Sequence, residues 1–337
     1  MIFFLSDYST GAHPDVLKAI EETNEIHTDG YGIDPYCERA AGIIKKRIGR
    51  PDADVHFMVG GTPANLTATA AFLRPYEGVV APKTAHIYVH ETGALEATGH
   101  KVMPCITKDG KLTPEHIEAT VAEYEDEHTV ITKMAYISNS TELGTIYSKD
   151  ELLALRATCD KHDIYLYMDG ARLGSALTAT DNDLSIEDIA KIVDAFYIGG
   201  TKNGILFGEA LIILNENLKE NFRHVIKQKG GLLAKGRLLG VQFEVVFKDD
   251  LWFDMAAHAN KMAAKLRDEL AAKGIEFESY SPSNQIFPIF ENAKIDELEK
   301  DFLFYRWHPI DKDRTSIRLV TSFMTKDEDV NAFLNAI

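Results

Sequence analysis

A chain of 337 residues with 45% hydrophobic and 26% charged residues has the composition of an ordinary globular protein, and its length predicts about two domains. Its formal net charge of −16 argues against a nucleic-acid-binding surface or an anionic-membrane-binding surface, although a small anionic ligand needs only a local positive site. The three cysteines lack paired spacing, which argues against a disulfide framework and against a zinc site.

The N-terminus and the hydropathy pattern predict a cytoplasmic protein. Residues 1–5 carry no basic side chain and run directly into Ser6-Asp7, which is unlike a secretory signal peptide. No apolar run approaches the length that a membrane-spanning helix needs. We therefore expect a soluble, cytoplasmic protein whose partners include neither a nucleic acid nor a membrane.

Helices and strands alternate along the first part of the chain, after a turn-rich segment over residues 1–35. Because the strands are apolar nearly throughout, they predict an α/β fold with a mostly parallel central sheet covered by helices on both faces. The predicted helices span residues 35–50, 63–73, 91–99, 114–124, 149–162 and 186–191, and the predicted strands span 54–59, 79–81, 129–137, 164–168, 194–198 and 206–214.

The pattern changes after about residue 245. A long amphipathic helix is predicted over 252–273, followed by antiparallel strands over 275–278, 285–290 and 316–320 and a closing helix from Asp327. We therefore predict a large α/β domain at residues 1–245 and a smaller C-terminal α+β domain at residues 246–337.

One lysine stands out because it follows an apolar strand. The strand over 194–198 ends in Gly199-Gly200, and Thr201-Lys202 comes next. Burial disfavours a charged ammonium, so a lysine at an apolar strand end tends towards the neutral amine that forms a Schiff base with an aldehyde or another carbonyl. A solvated loop lysine is the commoner fate of an isolated Gly-Thr-Lys sequence, so other parts of the chain must decide.

Two further strand ends carry polar residues that suit a cofactor. Gly60, Gly61 and Thr62 form a strand-to-helix turn whose free backbone N–H groups could hold a phosphate, although an ordinary tight turn explains the glycines equally well. Asp169 follows five apolar residues and needs a cationic partner, which is either Arg172 or a protonated ring nitrogen of a cofactor.

A histidine and an arginine complete the candidate site. The imidazole of His86 can stack on a planar ring or move a proton, and the guanidinium of Arg318 can hold a carboxylate if it does not point outward. A metal site built on His86, His90 and Glu91 is a weaker alternative, because Ala94 stands where the metal-binding His-Glu-x-x-His motif has its second histidine. An anion cradle, a carboxylate, an imidazole and a Schiff-base lysine together suit pyridoxal 5′-phosphate (PLP), with the arginine left for an amino-acid substrate.

The chain resembles the low-specificity threonine aldolases, which belong to the fold-type I PLP enzymes alongside the aromatic amino-acid β-eliminating lyases. The resemblance covers nearly the whole chain, and its most specific motif is Asp169-Gly170-Ala171-Arg172. The other matching segments are Ser6-Asp7, Tyr31-Gly32-x-Asp34, Gly60-Gly61-Thr62-x-Ala64-Asn65, Ala85-His86 with Glu91 and Gly93, Thr201-Lys202, and Ile317-Arg318-Leu319-Val320-Thr321.

The resemblance implies a role for each of these residues. It implies that Lys202 carries PLP, that Asp169 keeps its pyridine nitrogen protonated, and that His86 stacks on the ring and is the first candidate for the general base. It further implies that Gly60, Gly61, Thr62, Thr201 and Arg172 contact the cofactor and that Ser6, Arg172 and Arg318 hold the substrate carboxylate. Tyr31 would come from a neighbouring subunit of a homodimer or homotetramer.

Two segments depart from the family pattern, and they keep other activities open. The usual Ser-Lys-Gly-Leu-Gly loop is Thr201-Lys202-Asn203-Gly204-Ile205 here, and a histidine-bearing Glu-Asn-Thr-His-Asn loop is replaced by Ser138-Asn139-Ser140-Thr141-Glu142. We expect cleavage of L-threonine, L-allo-threonine or related β-hydroxy-α-amino acids to glycine and an aldehyde, with no metal. The alternatives are β-elimination on an aromatic or sulfur amino acid and, more remotely, a non-catalytic metal-binding or ligand-binding protein.

Overall fold

A computed structural model describes all 337 residues and contains thirteen α-helices, numbered here in chain order. None of these helices combines the length and the apolar character that crossing a membrane requires. The helices are α1 (Pro14–Thr23), α2 (Pro35–Arg47), α3 (Gly61–Phe72), α4 (His86–Val89), α5 (Pro114–Glu123), α6 (Lys149–Lys161), α7 (Leu173–Leu177), α8 (Ile186–Ile192), α9 (Phe222–Gln228), α10 (Arg237–Lys248), α11 (Leu251–Ala272), α12 (Asn292–Leu298) and α13 (Asp327–Asn335).

Thirteen strands form three sheets. They are β1 (Ile2–Phe3), β2 (Asp54–Met58), β3 (Glu77–Pro82), β4 (Val102–Cys105), β5 (Ile131–Ser138), β6 (Tyr165–Asp169), β7 (Ala195–Gly199), β8 (Glu209–Ile213), β9 (Gln285–Ile286), β10 (Ile289–Glu291), β11 (Phe302–Leu303), β12 (Tyr305–Pro309) and β13 (Arg314–Val320).

The central sheet has seven strands in the order β2-β8-β7-β6-β5-β3-β4. Strands β3 to β7 pair in parallel, and β8 runs antiparallel between β2 and β7. Successive residues of a strand face opposite sides, so Tyr197 packs into one apolar cluster and Ile198 into another on the opposite face. Apolar burial on both faces is why these strands read as continuous hydrophobic runs, and the expected mostly parallel α/β sheet is confirmed.

The C-terminal residues form a smaller antiparallel sheet, in which β13 pairs with β9, β10 and β12. A third apolar cluster lies beneath it and includes Phe4 from the N-terminus, because β1 pairs in parallel with β11. Helix α11 joins the two units: Trp252 belongs to the large core and Leu266 to the small one. The domain boundary at residue 245 therefore remains a prediction, since both ends of the chain contribute to the smaller unit.

Several elements differ from the sequence-based expectations. The predicted helix over 91–99 is replaced by α4 and a short 3₁₀ turn at Glu96–Thr98, because Thr92 (φ 53°) and Gly93 (φ 71°) adopt left-handed backbone conformations that interrupt a helix. The predicted strand over 275–278 is reduced to a single bridge between Phe277 and Pro288. The elements that the prediction missed include α1, α7, α9, α10, β4, β11 and β12.

Candidate active site

A cavity of about 770 Å³ lies at the carboxyl ends of the central strands, where open α/β sheets bind their ligands. Its walls combine the ends of β2, β5, β6 and β7 with residues of β12 and β13 from the smaller unit. The predicted site residues that line it are Gly60, Gly61, Thr62, His86, Asp169, Arg172, Thr201, Lys202 and Arg318. Ser6 and Tyr31 do not line it.

Lys202 projects from the loop after β7 into this cavity. Burial, followed by the positive charge of Arg172, lowers the pKa of its ammonium, while the carboxylates of Asp7 and Asp169 oppose that shift. The ammonium of Lys202 thus loses its proton more easily than that of an exposed lysine, which favours the neutral amine. Thr201, the preceding residue, accepts a hydrogen bond from the Gly208 backbone N–H at 2.9 Å, which fixes the loop across its base.

Asp169 lies at the end of β6 and is 4% exposed. Tyr136 Oη donates to its Oδ2 at 2.6 Å, Asn65 Nδ2 donates to the same oxygen at 3.0 Å, and Tyr197 Oη and the Ala171 N–H donate to Oδ1. Burial alone would raise the pKa of this carboxyl, but these donors outweigh it and hold the pKa below its ordinary value. Asp169 is therefore ionised at neutral pH and suited to a cationic ring nitrogen.

A chain of hydrogen bonds connects Asp169 with His86. Asn65 Nδ2 donates both to Asp169 Oδ2 and, at 2.8 Å, to Glu91 Oε1. His86 Nδ1 lies 2.8 Å from the same Glu91 oxygen, and His86 itself lines the cavity. Glu91 therefore fixes the orientation of the imidazole ring at one nitrogen, so that only Nε2 remains for a ligand.

The turn after β2 provides an anion cradle. Gly61 and Thr62 are the first residues of α3, so their backbone N–H groups have no intrahelical acceptor, and no side chain caps them. A Cβ atom at Gly61 would lie 2.9 Å from the Tyr197 hydroxyl, so glycine keeps this corner open. Backbone donors at the start of a twelve-residue helix favour a phosphate group at this end of the cavity.

Arg172 binds Asp7 rather than Asp169, which decides between the two partners that the sequence left open for Asp169. Arg172 Nε donates to Asp7 Oδ2 at 2.7 Å and Nη2 donates to Oδ1 at 3.0 Å, in a bidentate pair with little solvent exposure. Asn284 Nδ2 also donates to Asp7 Oδ2, at 2.9 Å. The ion pair fixes the orientation of the arginine through Nε and Nη2, and it leaves Nη1 of the guanidinium for a ligand.

Arg318 reaches the cavity from β13. Its guanidinium carbon lies 4.8 Å from the ring centre of Tyr305 and 4.9 Å from that of Trp307, so two aromatic faces support it. Its Nε is buried without a hydrogen-bond partner. Burial, followed by the positive charge of Arg172, lowers the pKa of the guanidinium, so the group gains from an anion that fills this position.

The two predicted site residues outside the cavity lie at different places. Ser6 is buried beside Asp7, and its hydroxyl lies 2.6 Å from that of Ser9. Tyr31 is 45% exposed, has a left-handed backbone (φ 60°) and lines a separate cavity of about 300 Å³. The ammonium of Lys227 lies 4.6 Å from the centre of the Tyr31 ring.

Two carboxyl groups in the cavity escaped the sequence analysis. Glu142 accepts hydrogen bonds at Oε1 from Ser138 Oγ at 2.9 Å and from the His86 backbone N–H at 3.0 Å. Glu209, the first residue of β8, accepts one at Oε2 from the Gly200 N–H at 2.7 Å, and burial raises its pKa to about 7. A charged residue at the start of the otherwise apolar strand β8 was the one available signal for Glu209.

The departure at Asn203 has a structural reason. Asn203 Nδ2 donates to the backbone oxygen of Trp252 at 2.7 Å, so this side chain links the lysine loop to α11 instead of facing the cavity. Gly204 follows with a left-handed backbone (φ 83°), and a Cβ there would overlap Met255. The unusual loop thus docks on residues of α11 that belong to the large core, while Lys202 faces the cavity.

The residues present fit PLP. The unpartnered N–H groups at the start of α3, together with the corner that Gly61 keeps open, match a phosphate, and the ionised Asp169 matches a protonated pyridine nitrogen. Lys202 faces the same space with a lowered pKa. The metal alternative is not supported by the side chains, because no group of three or more His, Cys, Asp and Glu residues is arranged to hold an ion.

Comparison with known proteins identifies the family and the enzyme class. The profile of the beta-eliminating lyase family matches residues 4–292. The low-specificity L-threonine aldolase of Pseudomonas aeruginosa is 34% identical over 309 residues, which cover 90% of this chain and 88% of that protein. A solved structure of Leishmania major threonine aldolase is 50% identical and covers 99% of this chain and 98% of that one, with a TM-score of 0.98.

A more distant structure shares the fold. A putative L-allo-threonine aldolase from Listeria monocytogenes is 18% identical, covers 99% of this chain and 95% of that one, and has a TM-score of 0.76. Together the matches confirm the expected fold-type I architecture and the expected enzyme class, a PLP-dependent lyase. Since the family profile spans most of the sequence, the chain belongs to the beta-eliminating lyase family.

Proposed function

We propose that this chain cleaves the Cα–Cβ bond of L-threonine, L-allo-threonine or a related β-hydroxy-α-amino acid, giving glycine and an aldehyde. The observation that carries the proposal is the placement of Lys202, with its lowered pKa, in one cavity with the ionised Asp169 and the open N-terminus of α3. The Pseudomonas and Leishmania relatives, both named threonine aldolases, support the same reaction for this chain.

In this proposal, one set of residues holds the cofactor. Lys202 Nζ would hold PLP covalently, Asp169 would stabilise a protonated pyridine nitrogen, and His86, with its Nδ1 fixed by Glu91, would contact the ring. Gly60, Gly61, Thr62 and Thr201 would hold the phosphate. When bound, PLP supplies an electron sink for the electron pair that bond cleavage leaves on Cα.

A second set of residues holds the amino acid. Arg318, whose Nε is buried without a partner, binds the substrate carboxylate, because a guanidinium and a carboxylate form charge-assisted hydrogen bonds. Arg172, fixed by Asp7, contributes its remaining N–H groups to the same side of the cavity. Ser6, which the sequence predicts for the same contact, lies behind the cavity wall next to Asp7. Binding of the carboxylate fixes the position of Cα relative to Lys202, so the β-substituent of the substrate occupies the remaining part of the cavity.

The reaction itself tests the function. We expect PLP-loaded protein to convert threonine to equimolar glycine and acetaldehyde, and the Lys202→Ala variant to lose essentially all of this activity, because no other lysine lines the cavity. Pyruvate and ammonia from an aromatic or sulfur amino acid, with no glycine from threonine, would favour β-elimination instead. Normal turnover by Lys202→Ala would contradict the role given to this lysine.

We further propose that the chain acts as a cytoplasmic homodimer or homotetramer with Tyr31 contributed to a neighbouring subunit's site. The position of Tyr31 supports this, because its ring is exposed, lies outside the active-site cavity of its own subunit and is therefore free to reach that of a neighbour. The three free cysteines fit a reducing compartment. A mass measurement in solution that finds only monomers would contradict the assembly.

A further inference from the structure

The loop after β5 brings into the cavity a carboxyl group that none of the roles above uses. Glu142 lines the cavity near His86 and is partly buried. Its Oε1 accepts the hydrogen bonds from Ser138 Oγ and the His86 backbone N–H, which fix the direction of the side chain. Its Oε2 accepts no hydrogen bond from another residue and is not among the enclosed, unpartnered oxygens, so it is open to the cavity that Glu142 lines.

The surroundings of Glu142 favour a group that gains and loses a proton. Burial, followed by the negative charge of Asp169, raises the pKa of this carboxyl above its ordinary value. The other titratable groups that interact with its charge are those of Arg172, Tyr136 and Tyr147, whereas His86 contacts it through the backbone N–H. Because Oε1 already accepts two hydrogen bonds, a proton bound by Glu142 sits on Oε2, on the cavity side.

The other carboxyl groups of the cavity are held by hydrogen bonds or lie at its opposite end. Asp169 accepts hydrogen bonds at both oxygens, and His86 has its Nδ1 bound to Glu91. Glu209 lies at the opposite end, on β8 next to Met58 and the phosphate cradle. Glu142 is thus the carboxyl with a free oxygen on the side of the cavity that holds His86 and Arg172.

We propose that Glu142 is a catalytic residue that accepts the proton of the substrate's β-hydroxyl group, an inference that rests on the proposed function. Glu142 Oε2 takes the hydroxyl proton, and the O–H electron pair becomes the second bond of the aldehyde carbonyl. The Cα–Cβ bond breaks and its electron pair stays with the glycine fragment. A proton then returns to Cα, so the atoms of the amino acid are recovered as glycine and an aldehyde.

A Glu142→Gln variant tests this, because glutamine retains the acceptor at one position and cannot take the proton. We expect kcat/KM for threonine to fall by about 10²-fold or more, the loss typical of a missing general base. Exchange of the glycine α-proton with deuterated solvent needs no β-hydroxyl, so it should stay within a few-fold of the native rate. The exposed Glu127→Gln substitution is the matched control and should change neither rate.

The pH profile and the infrared spectrum give independent readouts. Since the raised pKa keeps Glu142 protonated to a higher pH than an ordinary glutamate, native kcat/KM should rise with pH as this group ionises. That rise should vanish in Glu142→Gln and persist, at reduced rate, in Glu142→Asp. The infrared band of a protonated carboxyl should titrate over the same range in the native protein without substrate and be missing from Glu142→Gln.

The outcomes separate this inference from the proposed function. Native protein that forms no glycine from threonine overturns both. Native cleavage with unchanged kcat/KM and an unchanged pH profile in Glu142→Gln overturns the role of Glu142 alone. An equal loss of cleavage and glycine exchange also overturns it, because a merely structural defect affects both reactions.

Discussion

The end of β6 and the loop after β5 each bring a carboxyl group to the cavity, and the two groups differ in how many hydrogen-bond donors surround their oxygens. Ser138 and Asp169 lie opposite each other where β5 pairs with β6, so both regions start from the same level of the sheet. Asp169 accepts hydrogen bonds from two tyrosines, one asparagine and one backbone N–H. Other residues donate to Glu142 at Oε1 alone, and its Oε2 is open to the cavity.

The difference shows that burial alone does not decide the pKa of a buried carboxyl, because hydrogen-bond donors and neighbouring charges also act on it. Both groups lose water, which by itself raises a carboxyl pKa. Four donors reverse that effect for Asp169, whose pKa is lowered. The donors to Glu142 do not reverse it, because the negative charge of Asp169 adds to the effect of burial, and the pKa of Glu142 is raised. Asp169 therefore suits a permanent negative charge under a cationic ring, and Glu142 suits proton exchange.

The largest expected effect comes from removing the permanent charge. Asp169→Asn keeps the shape of the side chain but leaves the amide facing the Tyr136 and Tyr197 hydroxyls, and it cannot balance a pyridinium. We expect kcat for threonine to fall by roughly 10²–10³-fold, as for loss of one preorganised electrostatic contact. Steady-state kinetics at saturating PLP measure this, with the exposed Asp301→Asn as control. A loss below tenfold would contradict the role of Asp169.

A smaller effect should follow when Asp169 is made more like Glu142. Tyr136→Phe removes one donor from Oδ2, so the pKa of Asp169 should rise and the carboxylate should be less stable. A hydrogen bond to a charged group contributes about 1.5–3 kcal/mol, so kcat/KM should fall by roughly tenfold to a hundredfold, most strongly at low pH. The exposed Tyr76→Phe should show native kinetics; a pH-independent loss in Tyr136→Phe would argue for a packing effect.

The smallest expected effect is a change of the free energy of unfolding with pH. It concerns Glu209, the other cavity carboxyl with few hydrogen-bond donors. Its pKa of about 7 lies above the unfolded value of about 4.3, so between these values the folded state binds the proton that the unfolded state has lost. The free energy of unfolding should therefore fall as pH rises through this window. The lowered pKa of Lys202 acts in the opposite sense, because there the unfolded state binds the proton that the folded state has lost.

Urea denaturation of the native protein and of Glu209→Gln at about pH 5 and about pH 7 measures this contribution. The fall in stability between the two pH values should be smaller in the variant, since glutamine does not titrate. Equal falls in both proteins would contradict a raised pKa at Glu209.

Strand ends were the part of the site that the sequence could predict. Asp169, Lys202 and Gly61 each follow an apolar run directly, and the carboxyl ends of parallel strands share one edge of the sheet. The apolar runs also predicted the sheet itself, because burial on both faces removes the polar alternation of exposed strands. The local sequence pattern was sufficient to predict a site residue wherever that residue lies at the end of a strand or in the turn directly after it.

The remainder of the site depends on contacts between distant segments. Asp7 holds Arg172 across 165 positions of the chain, and no local pattern indicates this pairing. Tyr136 and Tyr197 look like ordinary core residues of their strands, and only the register of β5, β6 and β7 brings their hydroxyls to Asp169. Glu142 lies on an irregular loop, where the sequence indicates neither direction nor burial.

The central claim is that Lys202 carries the cofactor in this cavity, and chemical trapping tests it most directly. PLP-loaded protein is reduced with borohydride, digested, and its peptides are analysed by mass spectrometry. We expect a phosphopyridoxyl group on the peptide that contains Lys202, and no such group in Lys202→Ala. A label on a different lysine, or a protein that takes up no PLP at all, would contradict the account.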